Sequence, residues 1–528
     1  MFDILIRKAM VIDGAGNPWF KADIGVKDGK IERIGKIEKE TADYIIDASG
    51  LVASPGFIDM HSHADLAILG FPKAENLIMQ GVTTAVTGNC GISLAPLDSK
   101  TMSLLKKDVP AEFKMDWGWR SFSDFFQEVK KNGTAINIAP LVGHGTIRTA
   151  VMGFDDRVPT KEEMKKMANL LSQSMEAGAF GVSTGLIYPP GVYSKTPELI
   201  ELAKVAAKYG GIYVSHIRGE SEILIGLINA VKEAIEIGEK ADIPVEISHH
   251  KASGEKNWGK VKKTLKIMEE AQTRGVEVTC DVYPYTAGSA SLKSLLPPWA
   301  LEGGTEKMIK RLRGSESRKR IENEFLKKGT PGWGEPEEIL ISHSALHKDF
   351  EGRTLGEIAK SKGENLHKVL IDLLLEEKGE TGMVTFTMAE EDVSTVISSR
   401  LSMIGSDSEV CNPGAGGKPH PRTYGTFPRI LGRYVREKKI LTLEEAVRKM
   451  TSFPAQKIGL PNRGLLKEGM WADIVILDPQ NVIDKASYMN PHQYPEGIEY
   501  VLVNGEIVVG DSKHTGRLSG KILKKHEA

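Results

Sequence analysis

Cysteine is scarce in this chain: only Cys90, Cys280 and Cys411 occur among 528 residues. An odd, sparse set does not build a disulfide framework, and it fits a reducing compartment. Charge of one sign is missing too. Lys and Arg total 69 against 70 Asp and Glu, so no net field draws the chain to nucleic acid or an anionic membrane. No apolar run is long enough to span a bilayer. The opening "MFDILIRKAMVIDG" lacks a basic region followed by a long apolar core, so it does not read as a secretory signal. These absences predict a soluble cytoplasmic protein without nucleic-acid or membrane partners. Its length predicts a large core plus an accessory unit.

What is present is a rhythm of short strands. Residues 1–53 alternate as strands between Gly, Asn and Asp turns, and "WADIVILDP" and "EYVLVNGEIVVG" repeat the pattern near the other end. Neither set buries a good core alone, so the two are expected to pair as one small β-sandwich, residues 456–528 supplying its second part and a tail. Between them, residues 54–455 alternate apolar runs with helical stretches. The runs are "VASPGFIDMH", "VTTAVTGNC", "INIAPLVGHG", "AFGVSTGL", "GIYVSHI", "PVEISH", "VEVTCDVYPY" and "LSMIGSD". Eight βα units predict a TIM-type (β/α)8 barrel within an α/β fold. One helix is marked by a capping box from Thr160 to Glu163, followed by Met164, Met167, Leu171 and Met175 at helical spacing. A segment at about 290–398, with a basic helical stretch and the strand-like "EILISHS" and "GMVTFTM", reads as an insertion in a strand-to-helix loop. Such loops lie at the catalytic face, so the segment is either a lid or a surface elaboration.

A barrel gathers the residues that close each run at one rim. In order they are His61 and His63; Cys90; His144; Ser183 and Thr184; His216; His249 and His250; Asp281, Tyr283 and Tyr285; and Asp407. Side chains alternate along a strand, so His61 and His63 face one side, whereas His249 and His250 face opposite sides. His249 is preferred as the inward one. Each residue has a plainer reading alone: Cys90 as a small core residue, Asp407 as a helix cap, His144 in "GHG" as a structural histidine. Together, ligand-type residues at several strand ends point to one or two divalent metals.

These residues, in this order, resemble the amidohydrolase superfamily, and more closely its N-acyl-D-amino-acid deacylases. "GFIDMHSH" is similar to the first-strand metal motif. "TGNCGIS", "SHIRGE", "ISHHK", "DVYPYTAGS", "IGSDS" and "HPRTYGTFPRIL" are similar to segments of the deacylases. The family usually reads "SDG" after strand eight, where this chain has "SDSEVCNPGAGGKP". The resemblance implies a tightly held zinc on Cys90, His216 and His249, and a second, weaker divalent metal at His61 and His63. It implies Asp407 as general base and then acid in hydrolysing a linear amide. Arg422 is the choice to bind the substrate carboxylate, because guanidinium matches carboxylate with two parallel hydrogen bonds. The family positions Tyr283 and Ser289 share that task, and Tyr188 and Tyr193 either line the acyl pocket or stiffen a loop. The expected partner is a small N-acylated amino acid. A dipeptidase acting on D-residues is an alternative. So is a cyclic amidase, which would want a bridging lysine on strand four where "AFGVSTGL" has none. A non-catalytic metal-bound scaffold is a third.

Overall fold

The computed structural model describes the chain except residues 100, 103–116, 329–332, 412–413, 415 and 528. Three residues of "SDSEVCNPGAGGKP", at 412, 413 and 415, therefore lie outside the described residues.

The barrel strands are β1 (Phe57–Asp59), β2 (Val82–Thr87), β3 (Asn137–Pro140, resumed after Leu141 as Val142–Gly143), β4 (Gly181–Gly185), β5 (Ile212–His216), β6 (Val245–Ile247), β7 (Val278–Val282) and β8 (Ser402–Ile404). Neighbours pair in parallel from β1 to β3 and from β3 to β8. The Leu141 amide donates to Thr87 O at 2.8 Å across the break in β3, and Met60 N donates to Ile404 O at 3.2 Å where β8 meets β1. Every residue of these strands is buried, which is why they read as continuous apolar runs rather than alternating ones.

The expected helix spans Lys161–Ala177. Thr160 and Glu163 form the capping box, and Met167, Leu171 and Met175 are buried. Each such side chain contributes about 1.5–3 kcal/mol on burial, and the cap about 1 kcal/mol.

A nine-stranded sheet joins the two chain ends, Val52–Pro55 pairing antiparallel with Ile474–Leu477. "VASPGFIDMH", expected as one barrel strand, is thus two strands. Gly56 separates them, and a Cβ there would sit 2.2 Å from the Thr83 hydroxyl. The C-terminal tail leaves the sheet and follows β3: Ile138 N donates to Lys521 O at 2.9 Å, and Leu523 N to Ile138 O at 2.8 Å.

The insertion follows β7. Its strands Gly288–Ser291, Ile339–His343 and Gly382–Thr385 form an antiparallel sheet, and it has a core of its own around Leu292, Met308, Leu312, Ile341, Leu370 and Leu374. A separate core makes it a small subdomain rather than a loop. It sits at the C-terminal end of the barrel, where β7 emerges.

Candidate metal and catalytic site

Three side chains at this rim sit on left-handed backbone: Cys90 at φ 51°, His249 at φ 35° and Asp407 at φ 50°. Non-glycine residues there cost about 1–3 kcal/mol each and persist where the surroundings over-determine them. Those surroundings are visible. Asn89 Nδ2 donates to Val86 O at 2.9 Å and ties the turn that carries Cys90. The His249 amide donates to Asp281 Oδ1 at 2.8 Å. The Asp407 amide donates to His61 O at 2.7 Å, and buried Asp59 holds the same junction by accepting from Ser406 N and from the His61 amide.

Cys90 is the hub. Its sulfur lies 3.4 Å from His61 Nε2, 3.6 Å from His216 Nδ1 and 3.5 Å from His249 Nε2. A zinc ion with bonds of about 2.3 Å to sulfur and about 2.0–2.1 Å to nitrogen, at a tetrahedral angle, sets sulfur and nitrogen roughly 3.5 Å apart. The donors present therefore fit zinc in type and in spacing. Burial opposes ionisation of the Cys90 thiol, but His61 and His249 beside it prevail and hold it well below the ordinary thiol range. His61 is also drawn toward Asp281, whose Oδ1 lies 3.4 Å from its Nδ1.

Asp407 stands at the edge of this cluster. Its Oδ1 is 3.5 Å from His61 Nε2 and 3.3 Å from His63 Nε2, and its Oδ2 is 2.8 Å from Arg422 Nη1. Burial works against its charge. Arg422 first, then His249 and His63, outweigh burial and keep the carboxyl well below the usual carboxylate range. The Arg422 guanidinium lies over the Tyr283 ring at 4.7 Å, and the buried Tyr283 hydroxyl has no hydrogen-bond partner among the described residues. Tyr188 packs edge-on to His216 at 4.9 Å.

Other expected residues sit differently. His144 takes its structural reading: Nε2 is 2.9 Å from Glu198 Oε1, which also accepts from Arg148 Nε at 3.1 Å. His250 turns away from the cluster, and its Nε2 pairs with Thr264 Oγ1 at 2.8 Å. The Tyr193 hydroxyl donates to Pro298 O at 2.8 Å and ties its loop to the subdomain, while the Ser289 hydroxyl donates to Met383 O at 3.1 Å within the subdomain's sheet. Ser183 and Thr184 are spent on hydrogen bonds within the barrel. Two charged residues of the site were not picked out from the sequence. Glu220 lies 3.0 Å from His249 Nδ1, and Lys251 pairs with Glu220 at 2.5 Å. Their signal was position, Glu220 closing "SHIRGE" and Lys251 closing "ISHHK".

Fold and site together define an amidohydrolase: the model of the amidohydrolase family matches residues 44–292 and 364–509, and the chain belongs to that family. The gap between the two matched stretches, residues 293–363, falls inside the inserted subdomain. The chain is 36% identical over 530 residues to a D-aminoacylase of Alcaligenes xylosoxydans xylosoxydans, covering 100% of this chain and 98% of that one. Among solved structures it is similar to an N-acyl-D-glutamate deacylase from Bordetella bronchiseptica complexed with zinc and a phosphonate mimic of the tetrahedral intermediate. That match has 34% identity and a TM-score of 0.83, and covers 99% of each chain. It is also similar to a D-aminoacylase studied for one-metal activation and second-metal attenuation of its binuclear centre. Here identity is 35% and TM-score 0.83, over 99% of this chain and 100% of that one.

Proposed function

We propose that this protein hydrolyses the amide bond of N-acyl-D-amino acids, releasing a carboxylic acid and a D-amino acid, with zinc held by Cys90, His216 and His249. The observation that carries the reading is a juxtaposition. A sulfur-centred cluster of three imidazoles with zinc-like spacing adjoins the Asp407–Arg422 pair. The names of the relatives support the substrate class and its D configuration.

When bound, the metal supplies Lewis acidity toward the substrate carbonyl and makes water a nucleophile near neutral pH. A thiolate in the donor set favours zinc over magnesium. His61 and His63 would hold a second, weaker divalent metal. The rest is done by this chain's own groups. Arg422 receives the substrate carboxylate through parallel N–H bonds, and the orphaned Tyr283 hydroxyl donates beside it. Asp407 accepts a proton from the attacking water as the new C–O bond forms. It returns that proton to the amine nitrogen as the C–N bond breaks, so the leaving group departs neutral. Tyr188, against His216, lies on the acyl side. Tyr193 and Ser289, whose hydroxyls are bound to backbone carbonyls, contribute shape.

All three cysteines are free, which suits a cytoplasmic setting. Among the described residues no helix is long and apolar enough to cross a membrane. The test is a turnover screen of N-acetyl-D- against N-acetyl-L-amino acids, with hydantoins and D-dipeptides alongside. Turnover confined to N-acyl-D-amino acids is expected; equal rates on both enantiomers, or preference for a cyclic amide, refute the reading.

A further inference from the structure

His249 has neighbours at both ring nitrogens. Nε2 points at Cys90, 3.5 Å away. Nδ1 faces two groups of opposite charge, Glu220 Oε1 at 3.0 Å and Lys251 Nζ at 2.8 Å. His216 is arranged in the reverse sense, with Nδ1 toward Cys90 at 3.6 Å. Its buried Nε2 has no hydrogen-bond partner among the described residues, and Glu220 Oε1 is 3.8 Å from it. His216, Glu220 and His249 have the composition of a metal site. Here the Lys251 ammonium, 2.5 Å from Glu220, takes the place a cation would have.

A neutral imidazole carries one N–H and one lone pair. To present a lone pair to a metal at Nε2, His249 must hold its proton at Nδ1, and that N–H must donate to an acceptor. Glu220 is the acceptor. An ammonium has donors only. If Lys251 donates to Nδ1, the imidazole proton is forced onto Nε2, where it points at the metal position, and the ligand is lost. The two contacts at Nδ1 therefore favour opposite tautomers. Glu220 acts on both: its carboxylate lies 3.0 Å from Nδ1, and it binds Lys251 at 2.5 Å, drawing on the donor that also stands 2.8 Å from Nδ1. The backbone supports this placement, since Ser253 N donates to Glu220 O at 2.8 Å and pins the loop after β5 to the loop after β6.

We propose that Glu220 is a positioning residue: it selects the metal-binding tautomer of His249 by capturing the Lys251 ammonium. The proposal rests on the assignment of Cys90, His216 and His249 as ligands.

The experiment measures zinc affinity of the full-length protein by competition with a chromogenic chelator. A cobalt(II)-substituted sample reports the thiolate bond through its charge-transfer band. Wild type, Glu220→Ala, Lys251→Met and the double variant are compared, with thermal melts of the zinc-free proteins as a fold control. Glu220→Ala is expected to bind zinc about 10- to 100-fold more weakly, the range for loss of an outer partner of a ligating histidine. Lys251→Met keeps wild-type affinity, and the double variant recovers most of the loss, because the competing donor is gone. Wild-type affinity in Glu220→Ala, or a double variant as weak as Glu220→Ala, overturns the proposal while leaving the ligand assignment intact. Failure of the wild type to bind zinc overturns both. If Glu220→Ala does not fold, Glu220→Gln takes its place. It lacks the charge that holds the ammonium, and its deficit must likewise be recovered by Lys251→Met.

Discussion

Asp407 and Arg422 approach to 2.8 Å inside the barrel mouth, both side chains nearly shielded from solvent. The pair holds the carboxylate ionised, and in the proposed mechanism the same guanidinium binds the substrate carboxylate. Under that proposal, substrate carboxylate competes with Asp407 for Arg422. In the free enzyme Arg422 keeps the Asp407 carboxyl low against the opposing effect of burial. Once Arg422 turns to the substrate, part of that support is lost and the carboxyl rises. The base must be ionised, so activity falls as pH drops through its pKa. The acid limb of kcat, which reports the complex, is expected at higher pH than that of kcat/KM, which reports the free enzyme. Coincident limbs would show that Arg422 does not change partners.

Asp407→Asn keeps shape and one acceptor oxygen but cannot take a proton. Turnover should fall about 100- to 10,000-fold, the usual worth of general acid–base catalysis, with zinc content and thermal stability preserved. Retention of activity in a zinc-loaded sample removes the role assigned to Asp407.

Arg422→Lys keeps the charge and loses the planar fork. Charge-assisted hydrogen bonds contribute about 1.5–3 kcal/mol, so kcat/KM should drop by roughly 10- to 100-fold, chiefly through KM. The matching control is a substrate whose carboxylate is blocked as an amide: wild type and variant should handle it alike. A persistent gap between them on the blocked substrate places Arg422 elsewhere in the reaction.

Cys90 is the sulfur to which three imidazoles converge. Cys90→Ala should lose tight zinc, read by elemental analysis after dialysis against a mild chelator, while His63→Ala should retain about one zinc per chain. If Cys90→Ala retains its zinc, the metal is centred on other residues.

His250 offers a pH test of stability rather than of rate. Burial lowers its pKa from 6.5 to about 4. Between those values the unfolded chain takes up a proton that the folded one refuses. Stability is therefore full above pH 6.5 and declines as pH falls toward 4, by roughly 3 kcal/mol from this group. Urea unfolding at pH 7 and pH 5 should show a smaller difference in His250→Gln than in wild type. Equal slopes would mean that His250 titrates normally.

Much of this protein could be read from the chain alone, and the reason is local. The β4 to β8 strands lie buried on both faces, so "GVSTG", "IYVSH" and "VTCDV" lack the polar alternation of a half-exposed strand, and polar residues such as His216 and Asp281 come at or near their ends. Alternation predicts that His249 and His250 part, and they do, but through the left-handed turn at His249 after β6 has ended at Ile247. Spacing within a helix likewise marks Met167, Leu171 and Met175 as inward.

What escaped depends on groups far apart in sequence. Gly56 divides a run that looks continuous, because Thr83 leaves no room for a side chain beside it. The tail at Lys521 and Leu523 runs along β3, though nothing in its composition announces a partner. Glu220 and Lys251 look like ordinary surface charges in the chain, and only the approach of the β5 and β6 loops sets both against one nitrogen of His249. The sequence by itself determined the barrel and the residue types that close its strands, since periodicity and residue type are properties of neighbours along the chain. Tertiary structure alone decided which nitrogen of each histidine faces Cys90 and which charge faces the other, because hydrogen-bond direction exists only between groups that folding has brought within about 3 Å.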